Sequence, residues 1–119
     1  MGDFYKALED INMQNDVTLI ILSDFGRTLG DNGNGTDHAW GNHYFVLGGA
    51  VKGGLYGELP DLNLKSDDDI GYKGRLIPKI SMTQYYATIL KWFGMSEDEL
   101  NKILPELKNF EIKDLGFMN

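Results

Sequence analysis

Cysteine is absent from the 119 residues, which excludes disulfides, thiolate metal sites and cysteine nucleophiles while leaving the compartment open. No apolar run approaches the length of a membrane span. No basic segment followed by an apolar one opens the chain, so no export signal is expected within it. Basic residues are scarce: eleven Lys and Arg stand against eighteen Asp and Glu, a formal net charge of −7. A surface of that sign repels phosphate backbones and anionic headgroups, so nucleic acid and membrane are not expected partners. Internal repeats and low-complexity tracts are also missing. Histidine occurs twice, at His38 and His43, so imidazole chemistry is confined to one short segment. What remains is an ordinary globular composition, 42% hydrophobic and 24% charged, long enough for one domain with one core.

Hydrophobic spacing predicts the elements. Phe4, Leu8 and Ile11 share one face of an amphipathic helix over residues 3–14. The continuous aliphatic run VTLIILS, residues 17–23, suits a strand buried on both faces, as in a parallel sheet covered by helices. YFVLGG, residues 44–49, reads as a second such strand. Between them, residues 24–43 read as a loop with five glycines. Short strands are candidates at 55–57 and 74–77, and Asp67, Asp68 and Asp69 read as a solvated loop. Ser81 with Gln84 and Ser96 with Glu99 each fit a capping box, opening helices that Gly94 and Pro105 end. Two buried-type strands are too few to complete a covered parallel sheet. The chain is therefore expected to be part of a larger α/β domain, or to find its missing partners by oligomerising.

Asp24, in "LSDFGRT", follows the first predicted strand directly, at the carboxyl end where open α/β sheets build their sites. There it can hold a cation, and Arg27 can meet an anionic group bidentately. A turn-capping Asp24 and a surface-paired Arg27 fit the spacing equally. In "GTDHAWGNHYFVLGG", Asp37, His38 and His43 are ligand types for a divalent metal. Adjacent side chains on an extended segment point apart, so Asp37 and His38 meet one ion only across a turn. His43 starts the second strand and fits a structural hydrogen-bonding role as well. "GGAVKGG" lacks the spacing of a phosphate-binding P-loop, and "DNGNGTD" places Gly33 where a calcium loop needs a ligand. No Ser or Thr nearby is marked as an activated nucleophile.

"SDFGRT", "GTDHAWGNHYFVLGGAVKGGLYGELP", "GRLIPKISMTQYYATILKWFGMSEDELNKILPELKNF" and "LGFM" together resemble a bacterial sulfatase-like family of unknown function whose members often carry twin-arginine export signals. The resemblance spans roughly residues 17–118, in order. It corresponds to the C-terminal part of much longer proteins. That family in turn resembles the alkaline phosphatase superfamily. The resemblance implies a three-layer α/β/α fold with a mostly parallel sheet, incomplete in this chain, and a periplasmic or exported location. It implies metal ligands at Asp24, Asp37 and His38, with His43 as a ligand or a hydrogen-bond donor behind one, and Arg27 as the anion contact. The metal would be zinc, manganese or calcium. Phe25 stands where the superfamily has a metal-binding histidine, so a complete two-metal centre does not carry over.

Two functions follow as expectations. The first is the C-terminal portion of a metal-dependent phosphate- or sulfate-ester hydrolase, inactive alone because its nucleophile lies elsewhere. The second is a non-enzymatic exported binding protein with a degenerate hydrolase fold, kept for binding a glycan or an envelope partner. Expected partners are the remainder of the full-length chain or further copies, and a small phosphate or sulfate ester or a glycan. A calcium-stabilised loop at residues 31–37 is a third, weaker reading.

Overall fold

The computed structural model describes residues 1–119. In chain order it contains α1 (Gly2–Asp10), β1 (Leu19–Ile21), β2 (Gly26–Asp31), β3 (Thr36–Ala39), β4 (Phe45–Leu47), α2 (Met82–Trp92) and α3 (Glu97–Ile103), then a 3-10 turn at Pro105–Asn109. The strands form two two-stranded sheets, β1 with β4 and β2 with β3. The expected three-layer, mostly parallel fold is therefore not the fold of this chain. The aliphatic run at 17–23 contributes only three strand residues, and Ile21 and Leu22 are 39% and 41% exposed rather than buried on both faces. The glycine-rich stretch read as a loop is instead an antiparallel hairpin, β2–β3. Residues 55–57 form no strand, and the second candidate contributes a single antiparallel bridge, Asp69 to Leu76.

The chain divides into two compact units. A helical unit comprises Met1–Leu19, Val46–Tyr56 and Ile80–Asn119, and a hairpin unit comprises Ile20–Phe45 and Gly57–Lys79.

All seven buried hydrophobic residues belong to the helical unit. Both predicted capping boxes are present. Ser81 accepts from the Thr83 N–H while Gln84 accepts from the Ser81 N–H, and Ser96 and Glu99 make the corresponding pair at α3. Each cap satisfies otherwise orphaned N–H groups and sets where its helix begins. The helices thus placed bury Ala87, Leu100 and Leu107 together, with Leu90, Met95 and Leu104 packed around them. The C-terminal strand-like segment is stitched in by backbone bonds from Lys52 to Phe117 and from Asn119 to Ala50. Thr88, 2% exposed, donates to the Gln84 carbonyl and accepts the Leu115 N–H. At the other end α1 is shorter than its spacing predicts. It stops at Asp10, buries only Leu8 and leaves Phe4 and Ile11 exposed.

The hairpin unit has no buried hydrophobic side chain; its buried polar side chains are Thr28 and Asp69. Asp69 was expected in a solvated loop, yet it is 6% exposed. Its Oδ1 accepts the N–H groups of Gly74 and Arg75 at 2.8 and 3.0 Å, and its Oδ2 accepts that of Lys65 at 2.9 Å. One carboxylate thereby fixes three points of an irregular loop. Beside it, Asp68 accepts the Asp61 N–H and forms an ion pair with Lys79. The loop is tied to β2 by bonds from the Leu29 and Gly30 N–H groups to the Gly74 and Lys73 carbonyls. Gly74 has φ +74°, and a Cβ there would lie 2.4 Å from that of Leu29, so only glycine fits this approach.

The backbone N–H of Lys65, followed by those of Gly74 and Arg75, holds the Asp69 carboxyl below the usual carboxylate range, against the opposite push of burial. A folded-state pKa lowered in this way contributes stability above the unfolded pKa. That stability is lost as pH falls through the lowered folded value. In a Trp92→Phe background, emission from Trp40 is expected to hold steady down to the ordinary carboxylate range and to change below it. Asp69→Asn, which surrenders one acceptor oxygen, is expected to lower stability at neutral pH and remove that acid sensitivity. A variant as stable and as acid-sensitive as the parent contradicts this role.

Candidate functional site

The stretch from Ser23 to His43 holds every candidate site residue. Ser23 shapes the turn: its hydroxyl donates to the Phe25 carbonyl at 3.0 Å and accepts the Phe25 N–H. Asn42 donates to the same carbonyl at 2.8 Å, and the Tyr44 hydroxyl donates to that of Ser23 at 3.1 Å. Phe25 is thus held at both ends of its backbone, while Asp24 beside it is exposed at the bend.

From Gly26 the chain runs as β2, with Gly26 opposite Ala39, Arg27 opposite His38 and Asp31 opposite Thr36. Three residues of β2 lie between the last two of these pairs against one of β3, so the ladder is irregular there. Thr28, 3% exposed, fills the gap: its hydroxyl donates to the Gly30 carbonyl and accepts the Asp37 N–H. The turn is closed by Asp31 and Asn32, whose side-chain oxygens accept the Gly33 and Asn34 N–H groups. These side chains are committed to turn formation in the loop once read as a calcium candidate.

Residues directly opposite on antiparallel strands project from the same face, as do residues two apart on one strand. Phe25, Arg27 and His38 accordingly meet. The Phe25 and His38 rings stack with centroids 3.8 Å apart and 10° between planes, and the Arg27 guanidinium lies 5.0 Å from the Phe25 centroid. Arg27 Nη1 also donates to the Thr36 carbonyl at 2.8 Å. An exposed cation over an aromatic face contributes about 0.5–1 kcal/mol, enough to bias the orientation of the guanidinium. Its remaining N–H groups stay available to a planar or tetrahedral anion.

The other candidates do not join this group. Asp37 is on β3 beside His38, so its side chain projects to the opposite face, where it accepts from Asn32 at 2.6 Å. The turn that would let Asp37 and His38 share an ion is not there. His43 is exposed, and its N–H donates to the Asn42 side chain. No group of three or more His, Asp or Glu gathers to hold a metal ion. Zinc, manganese and calcium each require at least that many converging ligands, so the residues present do not by themselves fit the implied metal. Two depressions in the helical unit, both lined in part by Lys91 and Asp114, contain none of these residues.

Residue spacing missed the stack and Thr28. The available signal was the alternation of Phe25 and Arg27 before a polar Asp-Asn-Gly-Asn-Gly turn, which is hairpin chemistry.

A family model described as "Protein of unknown function (DUF1501)" matches residues 1–105. The chain belongs to that family. No curated protein matches it, and no solved structure does. No helix is long and apolar enough to cross a membrane.

Removing the ring that covers His38 should be visible directly. Phe25→Ala is expected to shift the His38 ring-proton resonances downfield by removing the ring current of the stacked phenyl, with the resonances of α2 unchanged. An unmoved His38 spectrum contradicts the stack.

Proposed function

We propose that this member of the DUF1501 family recognises an oxyanion ester, the phosphate or sulfate of a small ester or a glycan, through Arg27 and His38 on the β2–β3 hairpin. The observation that carries this reading is the shared face of Phe25, Arg27 and His38, which presents a guanidinium and an imidazole beside one aromatic surface. In a chain of net charge −7, a local pair of nitrogen-rich side chains facing outward is a place where an anion gains rather than loses energy. Arg27 supplies a fixed fork of donors, His38 supplies a ring N–H, and Phe25 holds both in position. These residues bind and orient; none of them is an activated nucleophile, and the chain is not expected to cleave an ester by itself.

The exposed apolar side chains of the hairpin unit, among them Leu29, Phe45, Leu59, Leu62 and Leu64, support a further part of this reading. A surface from the remainder of a longer chain, or from another copy, would cover them and complete the site. A second reading is favoured by Asp24, whose exposed carboxylate stands next to this face in sequence. In that reading the assembled protein is a metal-dependent phosphate- or sulfate-ester hydrolase to which this chain contributes Asp24 and His38.

Calorimetric titration with phenyl phosphate and phenyl sulfate separates the two. The binding reading expects saturable uptake that Arg27→Ala weakens about tenfold, the loss of one charge-assisted contact of about 1.4 kcal/mol, without release of phenol. Uptake unaffected by Arg27→Ala contradicts it. Uptake that requires added zinc or manganese and is lost in both Asp24→Ala and His38→Ala selects the hydrolase reading instead.

A further inference from the structure

A strained and exposed point of the chain lies away from these residues in sequence, at the end of the loop that Asp69 organises. Ile70 to Arg75 forms a tight turn: the Ile70 N–H donates to the Arg75 carbonyl at 2.9 Å, and an antiparallel bridge joins Asp69 to Leu76 beneath it. Three residues of this turn have left-handed backbones. Two are Gly71 and Gly74, at φ +83° and +74°; the third is Tyr72, at φ +62°. A bulky side chain at positive φ is an outlier that costs of order 1–3 kcal/mol, where glycine or asparagine would cost little. The Tyr72 ring does not recover that cost by packing, because the residue is 67% exposed. The strain persists because the surroundings over-determine the turn: the Asp69 carboxylate holds the Gly74 and Arg75 N–H groups, and β2 holds the Lys73 and Gly74 carbonyls.

Unpaired cations flank the tip. Asp68 is taken by Lys79 and Asp69 is turned inward, while Lys65, Lys73 and Arg75 form no ion pair. Asp61 and Asp67 are the acids of this loop that neither pair with a cation nor turn inward. An exposed aromatic residue near unpaired cations, on a turn whose backbone a buried carboxylate holds, has the make-up of an interface anchor. Tyr and Arg dominate such anchors, and pre-organisation lowers the entropic cost of binding.

We propose that the Tyr72 tip is a docking point for a protein partner, an acidic segment that places an apolar side chain against the Tyr72 ring and carboxylates against Lys73 and Arg75. The strain argument makes a distinctive prediction. Replacing Tyr72 should weaken docking while leaving the fold as stable or more stable.

The test uses a short fluorescent glutamate-rich peptide with one central leucine, followed by polarisation against the intact chain, with thermal unfolding measured in parallel. Tyr72→Gly and Tyr72→Asn are both expected to unfold at or above the temperature of the parent and to bind the peptide about tenfold more weakly. Lys73→Glu is expected to weaken binding and flatten its salt dependence. Arg27→Ala should leave peptide binding unchanged, so this docking point and the oxyanion reading stand or fall separately. Absence of peptide binding by the parent, or equal binding by both Tyr72 variants, overturns the proposal. Lower unfolding temperatures in both Tyr72 variants also overturn it, because the residue would then serve the fold. Tighter, Tyr72-dependent binding of heparin than of the peptide reassigns the tip to an anionic glycan and overturns the protein partner.

Discussion

A single buried carboxylate fixes the loop on which the hairpin unit depends. Asp69 accepts three backbone N–H groups from Lys65, Gly74 and Arg75, in a unit that buries no hydrophobic side chain at all. Apolar burial is the usual source of a domain's stability. Where it is missing, the order of an irregular loop has to come from directional bonds, and charged acceptors make the strongest of these. The loop that Asp69 fixes then lies along β2 through the Leu29 and Gly30 amides. β2 in turn carries Arg27 opposite His38. The outward-facing stack is therefore two hydrogen-bonded steps removed from one aspartate.

This dependence explains why the candidate site is open rather than enclosed. A sheet of two short strands cannot wall a pocket, and its faces stay in contact with solvent. Asp24, Arg27, His38 and His43 are all exposed, so charges there act at high dielectric and bind weakly on their own. An added surface would do two things at once. In the proposed reading it would cover exposed leucines of the hairpin unit, and where it reached Arg27 and His38 it would lower the dielectric around them.

Legibility in the sequence followed the range of the physics. Capping boxes are local, and Ser81–Gln84 and Ser96–Glu99 were readable because all their atoms lie within one turn of chain. The two β-type runs were recognisable as apolar, but their burial depends on neighbours that no local pattern specifies. Their supposed parallel sheet accordingly reduced to three-residue strands. In the hairpin, the ligand types Asp37 and His38 were visible, whereas the strand that turns them to opposite faces was hidden by reading the glycines on either side of it as a loop. Phe25 was recognisable as a residue that cannot hold a metal. Its stacking on His38 required the cross-strand register, which links residues thirteen apart. Among Asp67, Asp68 and Asp69 nothing local distinguishes the one that turns inward.

The central claim is that the hairpin unit is held by the Asp69 carboxylate and the helical unit by its own core. Amide hydrogen exchange on Asp69→Ala, resolved by residue, tests it most directly. The account predicts that the Leu29 and Gly30 amides lose protection while the amides at the end of α2, such as that of Phe93, keep theirs. Unchanged protection at Leu29 and Gly30, or an equal loss in both units, would contradict it.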